Sequence, residues 1–333
     1  METLQSTLPA EGILQDDNES AAAAALARLN AACLRLETLA RAEASARSAP
    51  FHRVVSLVHE ICDALDGAED AGVGRDALRA AVARAREIHA SSEFIKRLQD
   101  WPRGYPGDFE TIEWLWRGEN RAPAGTLAHA FESYALTAPI AQQHRNKVAL
   151  QSVCLRQAMQ ASEPCRVLSI GCGSNPDLRS IADQTASTAT FVLCDADRNA
   201  LDLSRRELFS LGERCKYIRG MVPRVLRQVR AHGPFNVILA GGLFDYLSDR
   251  FIVRTLHESW RHLLAPRGRI LFTNIGRGNP FRVWLEYLAS WRLIERSEED
   301  LIRLCRDAEI PVEPTLTRDA TGLAIVATLR DPA

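Results

Sequence analysis

The chain has 333 residues, of which 46% are hydrophobic and 25% are charged, as is average for a soluble globular protein. Lysine and arginine together number 41 and aspartate and glutamate 42, so the net charge is −1. This balance argues against a nucleic-acid partner, because nucleic-acid-binding domains usually carry a basic surplus. At about 150 residues per domain, the length predicts roughly two domains.

The sequence lacks the usual marks of membrane insertion, secretion and zinc binding. It has no apolar stretch near the roughly 18 residues of a transmembrane helix, so we expect no membrane partner. The first residues, METLQSTLPAEG, lack the basic start and apolar core of a signal peptide. None of the eight cysteines forms a CxxC pair or has zinc-ligand spacing with histidine. We therefore predict a cytoplasmic protein with buried, reduced thiols and no metal.

The first half of the chain, residues 1–160, is predicted to be a helical domain. The segment from Glu19 to Arg47 is rich in Ala, Leu, Arg and Glu, and its apolar positions recur every three or four residues, as in an amphipathic packing helix. Such a helix can pack within the chain or against a second copy, so the sequence leaves a homodimer open. Further helices are predicted over 51–65, 75–99, 109–116 and 126–160, with loops at 67–74 and 121–125.

The second half, residues 161–333, is predicted to be a doubly wound α/β domain. Short aliphatic and β-branched runs alternate with helical stretches such as 200–211 and 249–264, and a turn is predicted at 266–268. Alternating strands and helices predict a parallel sheet that is covered on both faces. The fold class is thus α/β, Rossmann-like, with a helical N-terminal domain. Strands are predicted over 166–170, 191–194, 217–218, 237–240, 269–273 and 323–328.

A glycine-rich turn follows the first predicted strand, in the segment CRVLSIGCGSNPDLRSIAD. Gly171 and Gly173 permit a tight turn and close approach of a ligand to the backbone. Asn175 occupies the expected N-cap position of the following helix, with Pro176 at its first position. Asp195 ends the next predicted strand, where a carboxylate can accept both hydroxyls of a ribose. Together these residues predict a nucleoside site.

The same turn argues against a dinucleotide. A pyrophosphate site has a third glycine and a helix N-terminus free to accept phosphate. Here Ser174, Asn175 and Pro176 follow Gly173, and Asp177 in the first helical turn would repel a phosphate. An NAD-type dehydrogenase is therefore the less favoured hypothesis. A ligand that carries a zwitterionic amino acid and no phosphate fits this turn better.

Three motifs, SIGCGSN, FVLCDAD and FNVILAGGLFDYL, closely resemble those of the class I S-adenosylmethionine (SAM) methyltransferases, over about residues 160–330. The resemblance implies SAM as cosubstrate or sole substrate. It places Asp195 at the ribose and Ser169 where the family often has an acidic residue near the α-ammonium group. The other cofactor-binding residues that it implies are Gly171, Gly173, Ser174 and Asn175 at the methionyl part, Ala196 and Met221 at the adenine, and Ala240, Gly241 and Gly242 at the ribose and methionyl chain.

The helical half contributes a second resemblance. The segment WPRGYPGDFETIEWLWRG, an HRN-bearing helix and the later run TNIGRGNPFRVW resemble bacterial enzymes of small-molecule secondary metabolism. These include the azetidine-2-carboxylate synthases, which cyclise SAM, and the hydroxy-fatty-acid methyl ester synthases. Aromatic faces stabilise a sulfonium, and Tyr105, Phe244 and Tyr246 are the candidates for this role. Asp108 is the candidate base that removes a proton in methyl transfer. Asn146 and Asn274 complete the predicted catalytic set.

The reaction stays open between methyl transfer to a small acceptor and cyclisation of SAM alone, with release of methylthioadenosine. Ser169 favours cyclisation, because a carboxylate beside the α-ammonium would raise the pKa of that amine and oppose its deprotonation. A non-catalytic SAM-binding interaction protein is the alternative from another class. Nucleic-acid methylation is disfavoured by the charge and by GGLFDYL, which stands where the diagnostic N/D-P-P-F/Y motif would lie.

Overall fold

A computed structural model describes residues 11–43, 51–185 and 188–332 of the chain. The first ten residues, which make up most of the segment on which the expectation about a signal peptide rests, lie outside the described residues. The same holds for residues 44–47, the last four of the first predicted helix.

The described chain divides into two compact units, which are not consecutive along the sequence. The first unit comprises residues up to 106 with 120–135 and 281–291, and the second comprises 107–119, 136–280 and 292 onward. The units therefore follow a different division from the predicted domain boundary at residue 160, which itself stays a prediction.

The described part of the first half is helical, as predicted, with eight helices up to residue 161. Two of the predicted helices are broken. The span 75–99 forms three short helices, the last of which begins after Ser92, whose Oγ accepts the Ile95 N–H at 3.3 Å. The span 126–160 is interrupted at Ala138, before a proline at the first helical position. The helices are α1 (Glu11–Glu43), α2 (Phe51–Asp70), α3 (Arg75–Ala81), α4 (Ala83–His89), α5 (Glu93–Asp100), α6 (Phe109–Arg117), α7 (Leu127–Thr137) and α8 (Pro139–Ala161).

The second unit is built on a seven-stranded sheet with the order β3-β2-β1-β4-β5-β7-β6. Its strands are β1 (Arg166–Ile170), β2 (Thr190–Asp195), β3 (Cys215–Arg219), β4 (Phe235–Ala240), β5 (Leu264–Ile275), β6 (Thr315–Arg318) and β7 (Ala324–Arg330). The helices between them are α9 (Pro176–Arg179), α10 (Arg198–Glu207), α11 (Arg224–Val229), α12 (Asp249–Glu258) and α13 (Glu298–Asp307).

The sheet is parallel from β1 to β5, but β7 runs antiparallel to both β5 and β6. The expectation of a purely parallel sheet is thus wrong at this edge. The strand β6, which was not predicted, is connected to β7 by only a few residues. Such a connection makes a hairpin rather than a parallel crossover. The predicted turn at 266–268 lies within β5 as a bulge opposite β4, with Arg267 at a φ of 59°.

Alternating residues of the strands point into two apolar layers, one on each face of the sheet. Leu168 and Ile170 of β1 lie in one layer, while Val167 lies in the other with Phe191 and Leu193 of β2. The sheet is therefore covered on both faces, as predicted. All eight cysteines are free thiols, six of them buried and Cys62 and Cys172 partly buried.

Candidate functional site

The turn after β1 adopts the left-handed backbone conformation at three positions. The φ angles are 61° at Gly171, 54° at Gly173 and 55° at Asn175. Glycine enters this region without steric cost, and asparagine is one of the few other residues that tolerate it. A Cβ on Gly171 would also lie 3.1 Å from the Leu243 side chain. The missing third glycine is thus replaced by a residue that suits the same backbone.

Asn175 occupies the N-cap position of α9, and Pro176 its first position, as predicted, but the Asn175 side chain does not cap the helix. Its Nδ2 instead donates to the Ser204 Oγ at 2.8 Å, and the residue is 1% exposed. The left-handed backbone explains the difference, since a capping side chain normally extends from a β-region residue. The helix itself has only four residues.

Asp195, at the end of β2, lies directly against the glycine turn. Its Oδ2 accepts the Gly173 N–H at 2.8 Å, and its Oδ1 accepts the Asp197 N–H at 2.8 Å. Burial raises the pKa of Asp195, although the backbone N–H groups act in the opposite direction. Gly173 and Asp195, which are both predicted to bind the same ligand, are therefore in contact.

The carboxyl group of Asp177 is buried in the first turn of α9. Burial raises its pKa from 3.8 to about 6, against the effect of nearby backbone N–H groups. The ionised form of this residue, which predominates above about pH 6, opposes a phosphate at the helix N-terminus because it repels an anion. The structure thus keeps the feature on which the argument against a dinucleotide rests.

The side chain of Ser174 is held by helix α6. Its Oγ donates to Glu113 Oε1, which also accepts from Nη1 of Arg179. Arg179 packs over the Trp116 ring, with its Cζ 5.0 Å from the ring centroid. No local sequence pattern points to Glu113, because its partners lie far along the chain. These contacts hold the glycine turn from the α6 side, so the Ser174 hydroxyl is already in use.

The carboxyl end of β4 meets helix α8. A Cβ on Gly241 would lie 1.9 Å from Gln151 Oε1, so the carboxamide lies on the glycine backbone itself. One turn earlier on α8, Lys147 Nζ lies 3.5 Å from Asp245 Oδ2, and both side chains are buried. Ala240 and Gly241 were predicted to approach a ligand, but Lys147, Gln151 and Asp245 were missed. The spacing of Lys147 and Gln151 by four residues on a helix was the available signal.

Two of the predicted catalytic residues have clear structural partners. Asp108 is the N-cap of α6, and its Oδ1 accepts the N–H groups of Glu110 and Thr111 at 3.0 and 3.1 Å. Asn274 is fully buried, donates to the Ile294 carbonyl at 2.8 Å and accepts from Arg296 Nη1 at 2.8 Å. These contacts account for the burial of both residues, and their catalytic roles stay predictions.

The aromatic candidates lie in different surroundings. Phe244 is fully buried against Phe272, with ring centroids 5.1 Å apart, so it is a core residue rather than a face open to a cation. Tyr246 is 38% exposed in the second unit, and Tyr105 is 40% exposed in the first. Both keep the predicted role as an expectation.

The remaining predicted residues belong to the second unit. Asn146 on α8 accepts from Gln142 at 2.9 Å and donates to Asp319 at 2.8 Å. Ala196 is exposed beside Asp195. Met221, after β3, is 73% exposed, so it is not a core methionine. The predicted role of Met221 at an adenine stays an expectation.

The described residues contain no group of three or more His, Cys, Asp or Glu side chains that could hold a metal ion. Within the same part of the chain, none of the helices combines the length and apolar character needed to cross a membrane.

No protein-family model matches the chain, and no curated protein matches it. Among solved structures, it is similar to a possible exported protein from Bordetella parapertussis, at 14% identity and a TM-score of 0.61, covering 95% of this chain and 97% of that chain. A candidate methyltransferase from Thermobifida fusca YX aligns at 18% identity and a TM-score of 0.49, covering 70% and 100%. The N-methyltransferase NodS from Bradyrhizobium japonicum WM9, in complex with S-adenosyl-L-homocysteine, aligns at 12% and 0.43, covering 68% and 98%. At such identities a likeness shows the fold alone. The α/β, Rossmann-like fold class that the sequence predicts is confirmed.

Proposed function

We propose that the protein is a SAM-dependent enzyme that transfers a methyl group to a small molecule. The observation that carries the proposal is the contact between Asp195 and Gly173, with an O···N distance of 2.8 Å. It places a partly buried acidic side chain from β2 beside the backbone of the glycine turn after β1, which is the arrangement expected where a ribose binds. The exposed Met221 and Ala196 supply apolar surface for a base next to the same carboxylate.

The residues present fit SAM better than a dinucleotide. In the turn, positive φ angles at Gly171, Gly173 and Asn175 bring backbone rather than side chains to the ligand. The four-residue α9, with the Asp177 carboxyl group in its first turn, disfavours a pyrophosphate. SAM bound there would supply an electrophilic methyl carbon on a sulfonium.

In this reaction the residues of the chain bind and orient the ligand. Asp195 holds the ribose hydroxyls, and the turn backbone orients the methionyl chain toward the carboxyl end of β4. Most of the rate enhancement in such a reaction can come from holding an acceptor in line with the sulfonium, so proximity and orientation suffice without a covalent intermediate. The acceptor is a small molecule, in line with the near-zero net charge.

Cyclisation of SAM to azetidine-2-carboxylate is the second candidate, and Ser169 favours it. This residue lies in β1, only 7% exposed, and brings no carboxylate to the turn. An α-ammonium group without a carboxylate beside it loses its proton more readily.

The deciding experiment has two parts. Calorimetry with S-adenosylhomocysteine should detect binding to the wild type and loss of binding in Asp195→Ala, while Asp202→Ala on the surface of α10 should bind normally. No binding by the wild type would contradict the proposal.

The second part separates the two reactions by incubating the purified protein with SAM alone. Methylthioadenosine with azetidine-2-carboxylate identifies a cyclase, whereas S-adenosylhomocysteine that forms only with added small-molecule extract identifies a methyltransferase. Binding with no product in either incubation would identify a non-catalytic SAM-binding protein.

A further inference from the structure

The strands β1 and β4 are neighbours at the centre of the sheet, and the strand order reverses between them. In doubly wound sheets the crevice at this reversal point, outside the carboxyl ends of the strands, is where ligands bind. Helix α8 contacts both sides of the crevice. Its Ser152 Oγ donates to the Asp177 carbonyl at 2.9 Å after β1, and its Gln151 lies on Gly241 after β4.

Lys147 extends from the same helix to the β4 side of this crevice. It lies four residues before Gln151, so the two side chains share a face of α8. The distance from Lys147 Nζ to Asp245 Oδ2 is 3.5 Å. Lys147 also lies beside Gly242, because a Cβ added to this glycine would be 3.3 Å from Nζ. Lys147 is 5% exposed and Asp245 3%.

Asp245 is fixed by the sheet. Its Oδ1 accepts the Ile275 N–H at 2.6 Å, which leaves Oδ2 toward Lys147. Burial raises the pKa of Asp245, although Lys147 acts in the opposite direction. Removing two charges from water is costly, and one contact of 3.5 Å does not satisfy an ammonium group with three donors. A pair of this kind is poor evidence for added stability.

The position of the pair matches one end of the proposed ligand. The ribose end is fixed by Asp195 at β2, and β4 lies two strands away, at about 4.8 Å per strand, or roughly 10 Å. The far end of a nucleoside that carries an amino acid is a zwitterion. A buried cation beside a buried anion is its electrostatic complement.

We propose that Lys147 and Asp245 recognise the α-amino-acid end of the ligand, with Lys147 Nζ donating to its carboxylate and Asp245 Oδ2 accepting from its ammonium group. This assignment rests on the proposed function and names two binding residues for it. An ammonium group that is bound to Asp245 keeps its proton, so the assignment also favours methyl transfer over cyclisation.

The test compares three ligands by calorimetry: S-adenosylhomocysteine, its decarboxylated analogue and 5′-methylthioadenosine, which lacks the amino acid. Wild-type protein should bind S-adenosylhomocysteine at least about 10-fold more tightly than the decarboxylated analogue, as expected for a charged hydrogen bond. In Lys147→Met this preference should disappear, with the affinity for 5′-methylthioadenosine unchanged. Lys216→Met is the matched control, because Lys216 pairs with Glu213 on the surface, and it should keep the preference.

Removing Lys147 alone leaves a buried carboxylate without its partner, so the variant can lose stability. The double variant Lys147→Met/Asp245→Asn removes both charges and retains an acceptor for the Ile275 N–H. It should fold and bind all three ligands with similar affinity. If the double variant still prefers S-adenosylhomocysteine, or if the wild type has no preference among the three, the assignment is overturned. If the wild type binds none of them, the proposed function fails instead.

Discussion

The carboxamide of Gln151 lies on the backbone of Gly241, so close that a Cβ at this glycine would be 1.9 Å from Oε1 and 2.6 Å from Cδ. Real Cβ contacts are not this short, so no residue larger than glycine fits unless Gln151 moves. Gln151 is 8% exposed, so its movement disturbs packed surroundings.

Gly241→Ala should therefore reduce the free energy of unfolding by about 1–3 kcal/mol, the usual cost of overpacking. Chemical denaturation measures the change. Gly67→Ala is the control, because Gly67 lies within helix α2 and a Cβ there meets nothing within 4 Å, so it should be neutral or stabilising. Adding Gln151→Ala to Gly241→Ala should restore part of the loss, and an unaltered stability of Gly241→Ala would show that the contact is easily relieved.

Asn175 should tolerate glycine better than alanine. Both replacements lose the bond to Ser204, but only alanine places a Cβ at a φ of 55° without the side-chain compensation that asparagine has. Asn175→Ala is expected to be less stable than Asn175→Gly by about 1 kcal/mol. Denaturant melts of the two variants compare them directly. Equal stability, or a more stable alanine variant, would argue that the turn relaxes out of the left-handed region.

Glu113 should be coupled to Arg179 rather than independently stabilising. Glu113→Ala leaves the Arg179 guanidinium buried with Glu207 as its remaining carboxylate, and we expect a loss of about 3–5 kcal/mol. The double variant Glu113→Leu/Arg179→Leu removes both charges and should cost much less than the sum of the two single variants. A double-mutant cycle by denaturation measures the coupling, and additive losses would contradict it.

Asp177 should reduce stability as the pH rises through the range from about 4 to about 6. Its pKa in the folded state is about 6, above the value of 3.8 for an unperturbed carboxyl, so the folded state binds more protons in this interval. Asp177→Asn stays neutral, and it should match the wild type near pH 4 and exceed it at pH 7 by about 2–3 kcal/mol. Denaturation at several pH values gives the difference.

His144, which is partly buried, affects the pH dependence of stability with the opposite sign, and its effect cancels in this comparison. Burial, together with the charges of Lys147 and Arg145, lowers the pKa of His144 to about 3. Its contribution to stability is therefore lost as the pH falls below about 6.5, in the wild type and in Asp177→Asn alike. Asp183→Asn, at an exposed carboxylate, serves as control and should show no such gap. If the difference in stability between the wild type and Asp177→Asn does not change with pH, ionisation of the Asp177 carboxyl group is not its source.

Local patterns were sufficient for the positions of most elements and for the glycine turn with Asp195 beside it. Six of the strands lie where aliphatic runs predicted them, because burial on both faces selects such residues. Strand β6 was missed because it has four residues, mostly exposed, and lies at the edge of the sheet, where no apolar run is needed. The breaks within the long predicted helices were not predicted, since composition alone does not locate the end of a helix.

The sequence by itself determined the α/β class, the glycine turn and Asp195, because each depends on backbone conformation and on strand order along the chain. Only the tertiary structure decided that Glu113 holds Ser174, that Asn274 is enclosed by Arg296, and that Lys147 meets Asp245. These pairs join residues far apart in the chain. Their contact depends on tertiary packing, which the residues next to them in the sequence do not specify.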